Sequence, residues 1–267
     1  MRHSKRFRSA GCQVAVRIAS TIVYCSFAAA ETPGQPFACI PSILMAQSEW
    51  GAIFDWDGVV VDSAVQHQTS WQQLAHEEGF AFPEEHFKRG YGKKNDDIFR
   101  ELLGIHDARE ISRMSQRKEG LFRQLVQERG MELCPGVREW LTALQQAGIP
   151  CAVGSSTPRL NITCVLERLG VTEAFRAVVS SEDVTRGKPD PQVFALAASW
   201  LGVPAARCVV FEDTPIGIQA ARAAGMKVVG VVTTHAAHAL QGADRLVQRL
   251  DELTIPDVGR WFQEPPP

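Results

Sequence analysis

From residue 50 onward, short apolar runs recur along the chain and each stops at polar residues. One run ends in Ile53-Phe54 and is followed by Asp55. Cys151-Ala152-Val153, Ala177-Val178-Val179, Cys208-Val209-Val210-Phe211 and Val228-Val229-Gly230-Val231-Val232 look alike. Runs this short and continuous predict buried strands. Between them, apolar positions recur at helical spacing: Val137, Trp140, Leu141 and Leu144, then Leu160, Val165, Leu166 and Leu169. Strands alternating with helices predict an α/β fold, a Rossmann-like parallel sheet with helices on both faces.

Residues 64–133 break that alternation with helical patterns and no convincing strand. Trp71, Leu74 and Ala75 make one face, and Ile98, Phe99, Leu102 and Leu103 another. Ile111, Met114, Lys118, Leu121, Phe122 and Leu125 follow a third. The expected organisation is a core domain of residues 45–63 and 134–267, with 64–133 as a helical cap inserted after the first strand. Ligands of open parallel sheets bind beyond the carboxyl ends of the strands, so the insert is expected to lie over the site as a lid. The terminal Glu264-Pro265-Pro266-Pro267 cannot continue a helix and is expected to fray.

Composition changes the picture at the amino end. Five of the 28 Lys and Arg residues fall within residues 1–44 (Arg2, Lys5, Arg6, Arg8, Arg17), but only one of the 30 acids, Glu31. A basic start, an apolar stretch and Ala28-Ala29-Ala30 fit a signal peptide, although Arg17 interrupts the stretch. Arg-rich, acid-poor composition equally fits a transit segment, and initiation at Met45 would make residues 1–44 a spurious extension. Each reading expects the segment to be disordered and outside the fold. Initiation near Met45 implies a cytoplasmic protein, and a real targeting segment a plastid or exported one. The formal net charge of -2 gives no electrostatic reason for a nucleic-acid partner. No apolar run elsewhere is long enough to span a membrane. The seven cysteines show no zinc-like spacing, and Cys151 and Cys208 sit in strand-like runs as small hydrophobes.

The candidate chemistry lies where the strands end. Asp55-Trp56-Asp57-Gly58 closes the first strand with two carboxylates and a glycine, which alone could be a turn. Ser155, Ser156 and Thr157 follow the second, able to bind phosphate oxygens or simply to cap a helix. Gly187-Lys188-Pro189 holds a lysine that in isolation reads as solvated. Glu212-Asp213 ends a later strand and could cap the helix starting near Pro215. Parallel strands bring these ends to one sheet edge. Together they supply metal ligands, phosphoryl-oxygen donors, a nucleophile and a proton donor, the set that phosphoryl transfer needs.

In that order, Asp55-Trp56-Asp57-Gly58-Val59, Ser155, Lys188-Pro189 and Glu212-Asp213 resemble the four motifs of the haloacid-dehalogenase-like hydrolases, over residues 50 to about 255. The branch it resembles carries a helical cap after the first strand. It includes beta-phosphoglucomutase, CbbY-like phosphatases and plant riboflavin-pathway phosphatases. The resemblance implies Asp55 as nucleophile and Mg2+ ligand, and Asp57 as acid/base and part of the metal site. Ser155, Ser156 and Lys188 would bind phosphate, and Asp213 with Glu212 would complete the metal site. An acid at position 57 implies a phosphatase or phosphomutase rather than carbon-halogen or carbon-phosphorus cleavage.

The expected substrate is a small phosphorylated metabolite, a sugar phosphate or a riboflavin precursor, hydrolysed through an aspartyl-phosphate. His67 matches a hinge histidine of beta-phosphoglucomutase, though a lone helical histidine is also an ordinary surface or core residue. Lys93, Lys94, Asn95 and Arg159 are candidate substrate contacts. A phosphomutase is the alternative, and a non-catalytic phosphometabolite-binding module the second. Oligomeric state is not written in the sequence.

Overall fold

The computed structural model describes residues 13–18, 21–26 and 49–263. The chain divides into two compact units, residues 1–47 and 48–267. In the first, β1 (Gln13–Ile18) pairs antiparallel with β2 (Thr21–Ser26), Gln13 opposite Ser26. Both runs carry β-branched residues, which favour strands. The rest of residues 1–44, and the tail from Glu264, lie outside the described residues.

The second unit is built on six parallel strands: β3 (Gly51–Phe54), β4 (Cys151–Gly154), β5 (Ala177–Val179), β6 (Cys208–Glu212), β7 (Lys227–Val231) and β8 (Arg245–Val247). Their spatial order is β5-β4-β3-β6-β7-β8. Successive side chains point to opposite faces. Ala52, Phe54, Val209 and Phe211 therefore join a core with Trp140, Leu141, Ile162 and Val165 of α5 (Val137–Gln146) and α6 (Arg159–Leu169). Ile53, Cys208 and Val210 join the opposite core with Phe194 and Ile218 of α7 (Gln192–Leu201) and α8 (Pro215–Ala223). Burial on both faces explains why these strands read as continuous apolar runs.

Two details differ from the sequence reading. Arg245-Leu246-Val247 is an edge strand whose half-buried arginine and exposed leucine break the apolar signature. Leu160, assigned to the inner face of its helix, is 59% exposed in the first turn of α6.

Between β3 and α5 lie four helices: α1 (Ala64–Glu78), α2 (Glu84–Gly90), α3 (Asn95–Leu102) and α4 (Ala108–Arg129). Trp71, Leu74, Ile98, Phe99, Ile111, Met114 and Leu121 give this insert a hydrophobic cluster of its own. Trp71 stacks on Phe82 at 4.8 Å between ring centres. Lys118, in the middle of the buried face of α4, is only 2% exposed and needs polar partners there.

Candidate active site

β3 lies between β4 and β6, so its carboxyl end is flanked by theirs. The Asp55 N–H donates to the Phe211 carbonyl at 2.9 Å, fixing Asp55 one residue beyond the strand. The Ser155 N–H donates likewise to Val179 at 3.0 Å. These backbone bonds, rather than side-chain preferences, bring residues a hundred positions apart to one edge.

Lys188 is the centre of charge. Its Nζ lies 2.8 Å from Asp55 Oδ1 and 2.8 Å from Glu212 Oε2, over the Phe194 ring, with no side-chain exposure. Burial alone would lower its pKa, but the two carboxylates raise it, so the ammonium form persists. Burial and the Glu212 carboxylate push Asp55 up to about 7, against the opposing pull of Lys188.

Asp213 is fully buried, and neither carboxylate oxygen has a well-formed hydrogen bond among the described residues. Burial, Glu212 and Asp55 raise its pKa well above the carboxylate range, although Thr234 and Lys188 pull the other way. Asp55, Glu212 and Asp213 offer oxygen atoms within 4.8 Å of one another. Glu212 already accepts from Lys188, and its Oε1 takes the N–H (3.0 Å) and hydroxyl (2.5 Å) of Thr214. That leaves Asp55 and Asp213 as the carboxylates with capacity to spare. Clustered oxygen donors that include a buried carboxyl group short of partners fit a hard divalent cation such as Mg2+. Close packing is built in: Gly58 has φ +80°, and a Cβ there would lie 2.0 Å from Asp213 Oδ2.

Asp57 does not join that cluster. Its Oδ1 accepts from the Ser63 hydroxyl at 2.5 Å and lies 3.0 Å from His67 Nε2, while Oδ2 accepts from the Thr157 hydroxyl. Its side chain is thus directed at the hinge of the insert instead of at the expected metal position. Burial opposes ionisation, but His67, Ser63 and Thr157 outweigh it and bring Asp57 down to about 2.

His67 Nδ1 lies 2.8 Å from Lys118 Nζ. An ammonium only donates, so Nδ1 must accept and Nε2 carries the proton given to Asp57. Lys118 also donates to Glu119 Oε1 at 3.0 Å, as does Asn95 at 2.7 Å, and Asn161 of α6 donates to Glu119 Oε2. Burial opposes ionisation of Glu119, but Lys118, His67 and Asn95 hold it below the usual carboxylate range. A buried polar chain therefore runs from Asp57 through the insert to the core. Lys118, Glu119, Ser63 and Asn161 were not identified from sequence as parts of the site, and Thr157, read there as a phosphate-binding or capping hydroxyl, donates to Asp57 instead. The one available signal was the lysine inside the apolar face of α4.

Asp55, Asp57, His67, Lys93, Asn95, Lys118, Glu119, Ser155 and Ser156 share a cavity between insert and core, completed by Trp71, Phe82 and Tyr91. Lys93 is paired with Glu101 there. Lys94 donates to the Val184 carbonyl at 2.9 Å and lines a neighbouring groove. Arg159 does not line the cavity, being paired with Asp183.

This chain belongs to the haloacid dehalogenase-like hydrolases, whose family pattern it matches over residues 52–231. It is 38% identical over 212 residues to the chloroplastic 5-amino-6-(5-phospho-D-ribitylamino)uracil phosphatase of Arabidopsis thaliana. That match covers 78% of this chain and 56% of the relative. It is 30% identical to validoxylamine A 7'-phosphate phosphatase of Streptomyces hygroscopicus subsp. limoneus, over 78% of this chain and 97% of that one. The crystal structure of beta-phosphoglucomutase from Clostridium difficile superposes with a TM-score of 0.71 at 25% identity, covering 79% of this chain and 96% of the other. Such relatives support a phosphoric monoester hydrolase, with a phosphomutase among the similar proteins. Among the described residues, no helix is long and apolar enough to cross a membrane.

Proposed function

We propose that the protein is a Mg2+-dependent phosphatase of a small phosphorylated metabolite, with Asp55 as nucleophile and the insert as a cap. The observation that carries this is Lys188, held 2.8 Å from both Asp55 and Glu212 beside an unsatisfied Asp213. Asp55 attacks phosphorus and the bond to the leaving oxygen breaks, that oxygen taking a proton from Asp57. Asp57 then accepts a proton from water, whose oxygen attacks phosphorus, and phosphate leaves Asp55. Lys188 and the hydroxyls of Ser155 and Ser156 orient the phosphoryl oxygens. Asp55 and Asp213, with Glu212 nearby, would hold Mg2+, which when bound would supply neutralising charge to the phosphoryl group. Asp57 delivers its proton only after leaving Ser63, His67 and Thr157, because those three donors favour its anion.

The cavity favours phosphatase over mutase. A second phosphate needs a free cation, yet Lys93 is paired with Glu101, and Lys118 with Glu119 and His67. Arg159 faces Asp183, and Lys94 is spent on a carbonyl. The relatives' substrates, a ribitylamino-uracil phosphate and a sugar-like phosphate, support a polyhydroxylated leaving group here. The chloroplast location of the first relative supports reading residues 1–44 as a plastid targeting segment, which a fluorescent fusion of those residues tests.

Phosphate release from p-nitrophenyl phosphate and a panel of phosphorylated polyols, with and without Mg2+, tests the activity. Turnover that needs Mg2+ and Asp55 is expected; silence across the panel contradicts it and favours a binding module. Beta-glucose 1-phosphate with a trace of the bisphosphate separates the reactions, since accumulation of glucose 6-phosphate means a mutase.

A further inference from the structure

Asn161 is a core amide whose two ends are both taken by the insert. It stands in the first turn of α6, just after Thr157, and is fully buried. Its Nδ2 donates to Glu119 Oε2, and its Oδ1 accepts from Arg123 Nη1 at 2.8 Å. Glu119 and Arg123 lie one turn apart on α4, a spacing at which a glutamate and an arginine can pair with each other. Here Glu119 pairs with Lys118 instead, and Arg123 has no ion pair among the described residues. The core amide serves both, its donor given to the carboxylate and its acceptor to the guanidinium. Only Asn or Gln offers a donor and an acceptor of this kind in one planar group.

The two gripped residues stand beside the two that hold His67. Lys118, next to Glu119, places its Nζ 2.8 Å from His67 Nδ1. Phe122, next to Arg123, stacks on the His67 ring at 4.2 Å between ring centres. The Lys118 head has no backbone partner to fix it. Trp71 and Phe122 flank it at 5.6 and 5.5 Å, and the directed contacts are those to Glu119 and His67. The position of α4 against the core therefore sets the His67 ring, whose Nε2 lies 3.0 Å from Asp57 Oδ1.

Resting on the reading of Asp57 as proton donor to the leaving oxygen, we propose that Asn161 is a positioning residue for that transfer. It holds α4 at the level where Lys118 and Phe122 orient His67, and through His67 the Asp57 side chain. Asn161 lines neither the catalytic cavity nor the groove beside it, so it acts through the cap and not on the substrate. An alkoxide leaving group needs the Asp57 proton as its bond to phosphorus breaks. p-Nitrophenolate departs as the anion, so a misaligned proton donor slows the first ester and spares the second.

The test compares kcat/KM for p-nitrophenyl phosphate and for the fastest polyol phosphate of the panel above, in the unaltered chain, Asn161→Asp and Arg123→Leu. Asn161→Asp keeps the size and the acceptor for Arg123 but gives nothing to Glu119. Arg123→Leu removes the other contact at a half-buried position. The ratio of polyol to p-nitrophenyl kcat/KM should fall about tenfold in Asn161→Asp and about fivefold in Arg123→Leu. Equal losses on both esters would overturn the inference by giving Asn161 a purely structural role, and so would an unchanged ratio. Should Asn161→Asp fail to fold, the ratio in Arg123→Leu decides alone. An unaltered protein that hydrolyses neither ester would overturn the phosphatase reading itself.

Discussion

The sheet edge and the cap place their polar groups by different means. At the edge, Asp55 and Ser155 are held by backbone hydrogen bonds to neighbouring strands, and Lys188 is clamped by two carboxylates. In the cap, His67, Lys118, Glu119 and Asn95 are held by one another and, across the interface, by Asp57 and Asn161. A geometry set by the sheet tolerates no loss of its reacting atoms, whereas a side-chain relay should fail gradually. On the proposed function, the comparison assigns the chemistry to the core and its timing to the cap.

The largest expected effect is at the edge. Asp55→Asn should lower turnover by about 1000-fold or more, read as phosphate release, with the fold retained by circular dichroism. Lys188→Ala should also inactivate, and by leaving Asp55 and Glu212 as uncompensated buried charges it should cost about 3–5 kcal/mol in chemical denaturation. A Lys188→Ala protein of unchanged stability would break the comparison.

In the cap, His67→Leu should lower kcat/KM by roughly 10- to 100-fold. It removes a donor that keeps Asp57 near 2, so the acid limb of the pH profile should move upward. A loss equal to that of Asp55→Asn would place His67 with the reacting groups instead.

Proton linkage gives a smaller effect. With Asp55 raised to about 7 without a cation, the folded protein binds that proton more tightly than the unfolded chain. This contribution is fully present at low pH and fades as pH rises from about 4 to about 7. Mg2+ needs the carboxylate, so its stabilisation should be greater at pH 8 than at pH 5.5, as differential scanning fluorimetry would read. The smallest effect is expected for Arg159→Ala. Its pair with Asp183 is partly exposed and outside the cavity, so kcat/KM should stay within about threefold.

The same division explains what could be read from sequence. Asp55, Ser155 and Glu212-Asp213 announced themselves because each follows an apolar run, and parallel strands bring such ends together whatever the loops do; Lys188 follows no such run and was legible only from its place in the order of motifs. The rotation of Asp57 toward Ser63, His67 and Thr157 was not legible, since it depends on where the first cap helix lands. Glu119 and Asn161 meet across 42 residues with no local pattern, and only the lysine inside the apolar face of α4 hinted at a buried polar chain. Arg159 looked available for a substrate because its partner Asp183 lies 24 residues away.

The most direct measurement is acid quench of the enzyme during turnover of a phosphate-labelled ester, followed by peptide mapping of the covalent label. The account predicts phosphoryl label on Asp55 alone, absent in Asp55→Asn. Label on another residue, or full turnover by Asp55→Asn, would contradict it.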